Sequence, residues 1–216
     1  KHEGISFILF DMESEGVETR PIKLISGSSP FCETFFNDVK VPKDQLVGEV
    51  NGGWKIAKRL LQHERSSISA GGFGSTRGSG MLGPEEYAKI HVGTDKDGKV
   101  LDGDLRGRIA DHMMYAKAFN LTVKRSGEQA KAGQEVGHTA SIIKYAAAKM
   151  NQDKFELMIE ALGTEGLGWE GEGFDKGAKM ATLGWLRSKG NSIEGGTSEI
   201  NLNVVAKRVL GLRDHQ

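Results

Sequence analysis

A chain of 216 residues accommodates one globular domain, or one domain with part of another. Apolar residues at 38% and charged residues at 27% exclude a disordered or membrane-spanning chain, and 29 Lys+Arg against 29 Asp+Glu remove the electrostatic case for nucleic acid or an anionic lipid surface. A single cysteine, Cys32, excludes an internal disulfide and a Cys-rich zinc site, while 30 glycines without a Gly-X-Y period exclude collagen and describe a soluble, intracellular protein with many glycine breaks.

The apolar run Ile5 to Phe10 is too short for a secretory core, and no stretch approaches the roughly 18 apolar residues of a membrane helix. The chain enters a strand-like run at once, without a start methionine, and is expected to be the carboxyl-terminal portion of a longer protein. Three runs rich in Ile, Val, Phe and Thr follow: ISFILFDM, VETRPIKLI and ETFFNDVKV, separated by turn residues that include Pro30. Three strands alone expose their edges, so this piece is expected to belong to a larger sheet.

After NGGW the period changes. Trp54, Ala57, Leu61, Glu64 and Ile68 recur at spacings of three and four, the stripe of an amphipathic helix. A glycine-rich stretch, Gly71 to Gly83, leads to a short helix PEEYAKI with Pro84 in its first turn. Leu105, Ile109, Met113, Ala116, Phe119 and Val123 mark a long helix reaching about Ala132. A second long helix is expected from about Thr139 to Leu162, carrying Ile142, Ala146, Met150, Leu157 and Ala161. A helical stretch around MATLGWLRSK and a final helix from about Ser198 to Leu210 complete a mainly α chain that reads as a helical bundle.

GLGWEG, Gly166 to Gly171, matches G-x-G-x-x-G by letter, but it follows a helix and no βαβ unit surrounds it, so a Rossmann site is rejected. The six histidines lack metal-ligand spacing, and His112 reads as a partly buried structural residue. Two places stand out. Glu64 occupies a slot of an apolar stripe, where a carboxylate is destabilising unless paired, protonated or used; alternatively the stripe ends at Leu61 and Glu64 is solvated. In SIEGGTSEI, Gly195 and Gly196 force a sharp entry, Thr197 is a good N-cap, and Ser198 and Glu199 fill the first turn. Such an end either holds a phosphate or a polarised carbonyl on its free N–H groups or is an ordinary capped helix.

Three stretches together resemble the acyl-CoA dehydrogenase family, the flavoenzymes that desaturate acyl-CoA thioesters. They are FNDVKVPKDQLVGEVNGGWKIAKRLLQHER, ASIIKYAAAKMNQDKFELMIEALG and GGTSEINLNVVAKRVLGL, the last being the most specific. The resemblance implies that residues 1–50 are the end of an antiparallel β-barrel domain and residues 51–216 the C-terminal helical bundle. In that family a glutamate removes the α-proton while the β-hydrogen leaves as hydride to N5 of FAD. The usual glutamate directly precedes the Gly-Thr of the closing motif; here that slot is Gly195, and Glu194 lies one residue too early. In a minority of members the base is on the first long C-terminal helix, beside an arginine, and HER puts Glu64 and Arg65 there. By resemblance Glu64 is the base, and Arg65, Gly195 and Gly196 meet the acyl-CoA. Gly195 would keep the backbone N–H that binds the thioester oxygen, and Thr197, Ser198 and Glu199 would meet the flavin.

Two departures stand against the family pattern. The family's Arg-x-x-Phe-Gly, which reaches a neighbouring subunit's FAD, has no match in GDLRGRIADHM, and its Gln-x-x-Gly-Gly reads EALGT, with Glu160 for the glutamine and Thr164 for the second glycine. These resemble the divergent bacterial branch, some of whose members are complexes of unequal subunits. A cytoplasmic bacterial enzyme is implied, self- or hetero-associated and passing electrons to an electron-transfer flavoprotein. The competing readings are a noncatalytic subunit of a mixed complex and an acyl-CoA oxidase.

Overall fold

The computed structural model describes residues 2–67, 81–134 and 138–213. Ile68 and most of the glycine-rich stretch of the sequence lie outside the described residues. The chain forms two compact units, Lys1–Ser66 and Ser67–Gln216.

The first unit holds four short strands: β1 (Phe7–Ile8), β2 (Val17–Ile22), β3 (Phe31–Phe36) and β4 (Leu46–Val47). They make two separate two-stranded antiparallel sheets. Phe7 and Ile8 of β1 pair with Val47 and Leu46 of β4, and β2 runs against β3 from Val17↔Phe36 to Ile22↔Phe31. The three expected strands are therefore present, the first only two residues long. β4 was not expected, because two residues are too short to show alternation. Ile8, Leu9, Ile22, Phe31 and Phe36 are all exposed, as is Cys32 on β3. Among the described residues of this unit only Ser26 and Gly53 are buried. Helix α1 (Gly53–Ser67) starts where the Gly53 N–H donates to the Ile5 carbonyl.

The second unit is helical: α2 (Pro84–His91), α3 (Gly103–Lys131), α4 (Thr139–Leu162), α5 (Lys176–Ser188) and α6 (Ser198–Val204). The caps explain the starts. Pro84 stands in the first turn of α2, Asp102 accepts from the Leu105 N–H at 3.0 Å, and Asp175 accepts from the N–H groups of Gly177 and Ala178. The core joins Tyr87 and Ala88 of α2, Leu105 and Ile109 of α3, Phe155, Met158 and Leu162 of α4, and Ala178 and Ala181 of α5.

Helix α4 is the hub, packed against α2, α3, α5 and α6. The stripe read from its sequence ran through Ile142, Ala146, Met150, Leu157 and Ala161; Leu157 and Ala161 are buried as expected, but in the first half Ile142 is exposed and the buried positions are Ile143, Lys144, Ala147 and Ala148. A helix covered on several sides has no single apolar stripe, so periodicity locates only part of its buried surface. In α3 only Leu105 and Ile109 are buried, and Met113, expected on the same stripe, is exposed. The last helix is shorter than expected. From Val205 to Val209 the chain takes a π turn, the Leu210 N–H bonding back to the Val205 carbonyl, one residue further than an α-helix allows. Among the described residues no helix is long and apolar enough to cross a membrane.

Candidate functional site

The bend between α5 and α6 gathers most of the residues singled out in the sequence. Gly195 and Gly196 are exposed, with φ of +64° and +95°, a region side chains disfavour, so two successive glycines are what this turn requires. Thr197 then caps α6: its Oγ1 accepts from the Ile200 N–H at 3.3 Å, and its hydroxyl meets the Glu199 carboxylate. Glu199's own backbone N–H and that hydroxyl hold its carboxyl below the usual carboxylate range. Ser198 is half-buried beside it. Among the described residues, the N–H groups of Gly195 and Gly196 meet no acceptor.

The bend is held from both ends. On the α6 side, buried Asn201 donates through Nδ2 to the carbonyls of Gly196 (3.0 Å) and Thr197 (2.9 Å). On the α5 side, Glu194 is gripped by Arg187: Nη2 approaches Oε2 at 2.6 Å and Nη1 approaches Oε1 at 3.3 Å, a bidentate pair. Asn191 adds a donor to Glu194 Oε1 at 2.6 Å. Partial burial pushes the Glu194 carboxyl up, but the bonds from Arg187 and Asn191 outweigh it and keep the group below its ordinary value. Asn191 is itself bound to α4: its carbonyl accepts from the Lys144 ammonium at 2.7 Å, and its side-chain oxygen from Asn151 Nδ2 at 2.8 Å.

Glu64 and Arg65 lie in the first unit, on α1. Glu64 is exposed, as are Leu60 and Leu61 before it, while Trp54, Ile56 and Ala57 are half-buried. The Arg65 side chain lies outside the described residues. The two departures noted in the sequence meet in space: Arg108, within GDLRGRIADHM on α3, forms an ion pair with Glu160 on α4, and its Nε also reaches Asp104 Oδ2 at 3.1 Å. Beside them a groove of about 320 Å³ between α3 and α4 is lined by Arg108, Asp111, His112, Tyr115, Asp153 and Glu156. There Asp153 is paired with Lys149 and Glu156 with Lys189. His112 is half-buried, and that burial lowers its pKa, in keeping with the structural role expected of it. Among the described residues no cluster of His, Cys, Asp or Glu is arranged for a metal.

Sequence reading missed Lys144, Asn151, Arg187, Asn191 and Asn201. Lys144 did leave a signal, a charge inside the apolar run ASIIKYAAA. Arg187 left none, because it lies seven positions before Glu194 and the pairing exists only once the turn folds back.

The sequence profile of the acyl-CoA dehydrogenase C-terminal domain matches residues 51–210, and the chain belongs to the acyl-CoA dehydrogenase family. Among its relatives, acyl-CoA dehydrogenase FadE34 of Mycobacterium tuberculosis is 34% identical over 212 residues, 98% of this chain and 27% of that protein. Acyl-CoA dehydrogenase IpdE1 of Mycolicibacterium smegmatis is 28% identical over 98% of this chain and 50% of its own length. Of solved structures, the Tcur3481-Tcur3483 steroid ACAD matches with a TM-score of 0.80 at 25% identity, over 99% of this chain and 53% of that one. The ChsE4-ChsE5 complex from Mycobacterium tuberculosis shares the fold, with a TM-score of 0.75 at 22% identity over 99% of this chain and 55% of that one. The chain thus spans about half, or less, of the length of these relatives.

Proposed function

We infer that this chain serves the α,β-dehydrogenation of an acyl-CoA thioester to the trans-2-enoyl-CoA, in a full-length protein that carries it, with Glu64 as the α-proton base. The observation that carries this reading is the state of Glu194. The closing motif offers no base: Gly195, in the family's slot, has no side chain, and the Glu194 carboxylate beside it is bound by Arg187 and Asn191 and held below its ordinary pKa. A carboxylate so satisfied is a poor proton acceptor. Glu64, exposed on α1 beside exposed Leu60 and Leu61, is the remaining candidate from the family's two positions.

In this reading residues 1–50 close a β domain and residues 51–216 form the catalytic helical domain. Gly195 offers its N–H to the thioester oxygen and so stabilises the enolate that forms as the α-proton leaves. Gly196 leaves room for the substrate, and Arg65 holds the acyl-CoA. Exposed glycines followed by the half-buried hydroxyls of Thr197 and Ser198 suit the edge of FAD, and Thr197, Ser198 and Glu199 would hold it. FAD held there would supply the oxidising power, as acceptor for the β-hydrogen and its electron pair. The second, cross-subunit contact fits less well, because Glu160 brings a negative charge toward a pyrophosphate and is already paired with Arg108. That pair favours a second reading, a noncatalytic subunit of a heteromeric acyl-CoA dehydrogenase. Self- or hetero-association, an electron-transfer flavoprotein as acceptor and a bacterial cytoplasmic setting complete the proposal.

In the full-length protein, Glu64→Gln should slow α-proton exchange by roughly 10²–10⁴-fold, the usual contribution of a general base. Glu194→Gln, which keeps an acceptor oxygen for Arg187 and Asn191, should cost less than about tenfold on the same scale. Equal losses in the two variants would reject Glu64 as the base. A flavin spectrum of the purified protein, bleached by acyl-CoA, separates the enzyme from the noncatalytic subunit, which would show no bleaching.

A further inference from the structure

The Lys144 ammonium is a buried charge that the reaction outlined above does not use. The residue is 5% exposed, between buried Ile143 and Ala147 on α4, where packing alone would favour an apolar side chain. What the charge does is visible in its bonds. Nζ donates to the Asn191 carbonyl at 2.7 Å, and about two turns further along α4 Asn151 donates to the Asn191 side chain at 2.8 Å. One helix therefore grips both the backbone and the side chain of a residue three positions before Glu194. Asn191 passes the grip on, donating to Glu194 Oε1 at 2.6 Å. Lys144 also feels the charges of Glu194 and Glu199, the two carboxylates that flank the bend.

Two successive glycines have more conformational freedom than any other pair, so a donor N–H on them is aimed only if the flanks are fixed. Asn201 fixes the α6 flank through the carbonyls of Gly196 and Thr197. We propose that Lys144 is a positioning residue that fixes the opposite flank: by holding the Asn191 carbonyl it immobilises the double-glycine bend and so aims the Gly195 N–H at a thioester oxygen. The fixing role stands on the bonds to Asn191; the aiming role rests on the function proposed above.

The test is Lys144→Met in the full-length protein, with Asn151→Leu as the second variant should the first fail to fold. Amide hydrogen exchange across residues 190–200 should quicken about tenfold or more, with the α2 and α4 core amides unchanged. The turnover number with acyl-CoA should fall roughly a hundredfold, the scale of losing one oxyanion donor, while KM moves less than about threefold. A merely structural lysine would change stability without that split. Unchanged exchange over residues 190–200 overturns the proposal whatever the activity. Faster exchange with turnover intact overturns the aiming role. A wild-type protein that exchanges no α-proton rejects the enzyme reading and the aiming role with it, while the exchange measurement still decides whether Lys144 fixes the bend.

Discussion

Glu194 shows how one carboxylate can be removed from chemistry by its neighbours. Its folded pKa lies below the ordinary value of 4.5, because bonds from Arg187 and Asn191 outweigh the cost of partial burial. The sign follows from linkage: a depressed carboxyl pKa contributes stability that is present above the unfolded value and lost as pH falls through the folded one. Glu194→Gln should therefore lower the urea midpoint at about pH 7, and the gap to wild type should narrow toward about pH 3. A gap of constant size would mean that the Arg187 pair contributes no charge-dependent stability. The sequence showed Glu194 and the glycines beside it, since both lie in one contiguous motif. It hid the pair, because Arg187 is at the end of α5 and Glu194 lies beyond it, where only the folded turn brings the two together.

At the scale of elements, legibility followed length and exposure. Helix α4 was readable to its ends, Thr139 and Leu162, since a long run of good helix formers needs no tertiary help to declare itself. Its buried face was readable only in part, at Leu157 and Ala161, because neighbours cover the helix on several sides and a lysine stands within its first half. The α4–α5 contact has a particular cause. Gly184 stands where an added Cβ would fall 2.3 Å from Cε1 and 2.5 Å from Cζ of Phe155, so the missing side chain lets the two helices close. Gly184→Ala gains up to about 1 kcal/mol in helix propensity but forces a buried ring aside, an overpacking cost of roughly 1–3 kcal/mol. A net loss of stability in urea denaturation is expected, and Phe155→Leu in the same chain should recover part of it. Additive losses in the double variant would show that the ring is not what Gly184 accommodates.

The two units differ in how they hold themselves. The second buries a continuous core drawn from α2, α3, α4 and α5. The first buries almost nothing among its described residues and joins α1 to two-stranded sheets, which are marginal in water by themselves. Expressed separately, Ser67–Gln216 should retain helical circular dichroism and a cooperative melt, whereas Lys1–Ser66 should exchange its amides without measurable protection. Slow exchange in β2 and β3 of the smaller piece would show that the ribbon sustains itself. The chain holds one thiol, that of Cys32, and it is exposed on β3. A maleimide dye would therefore attach at a single known place without any engineered substitution, and its anisotropy and quenching would report directly when another protein surface comes to cover that ribbon.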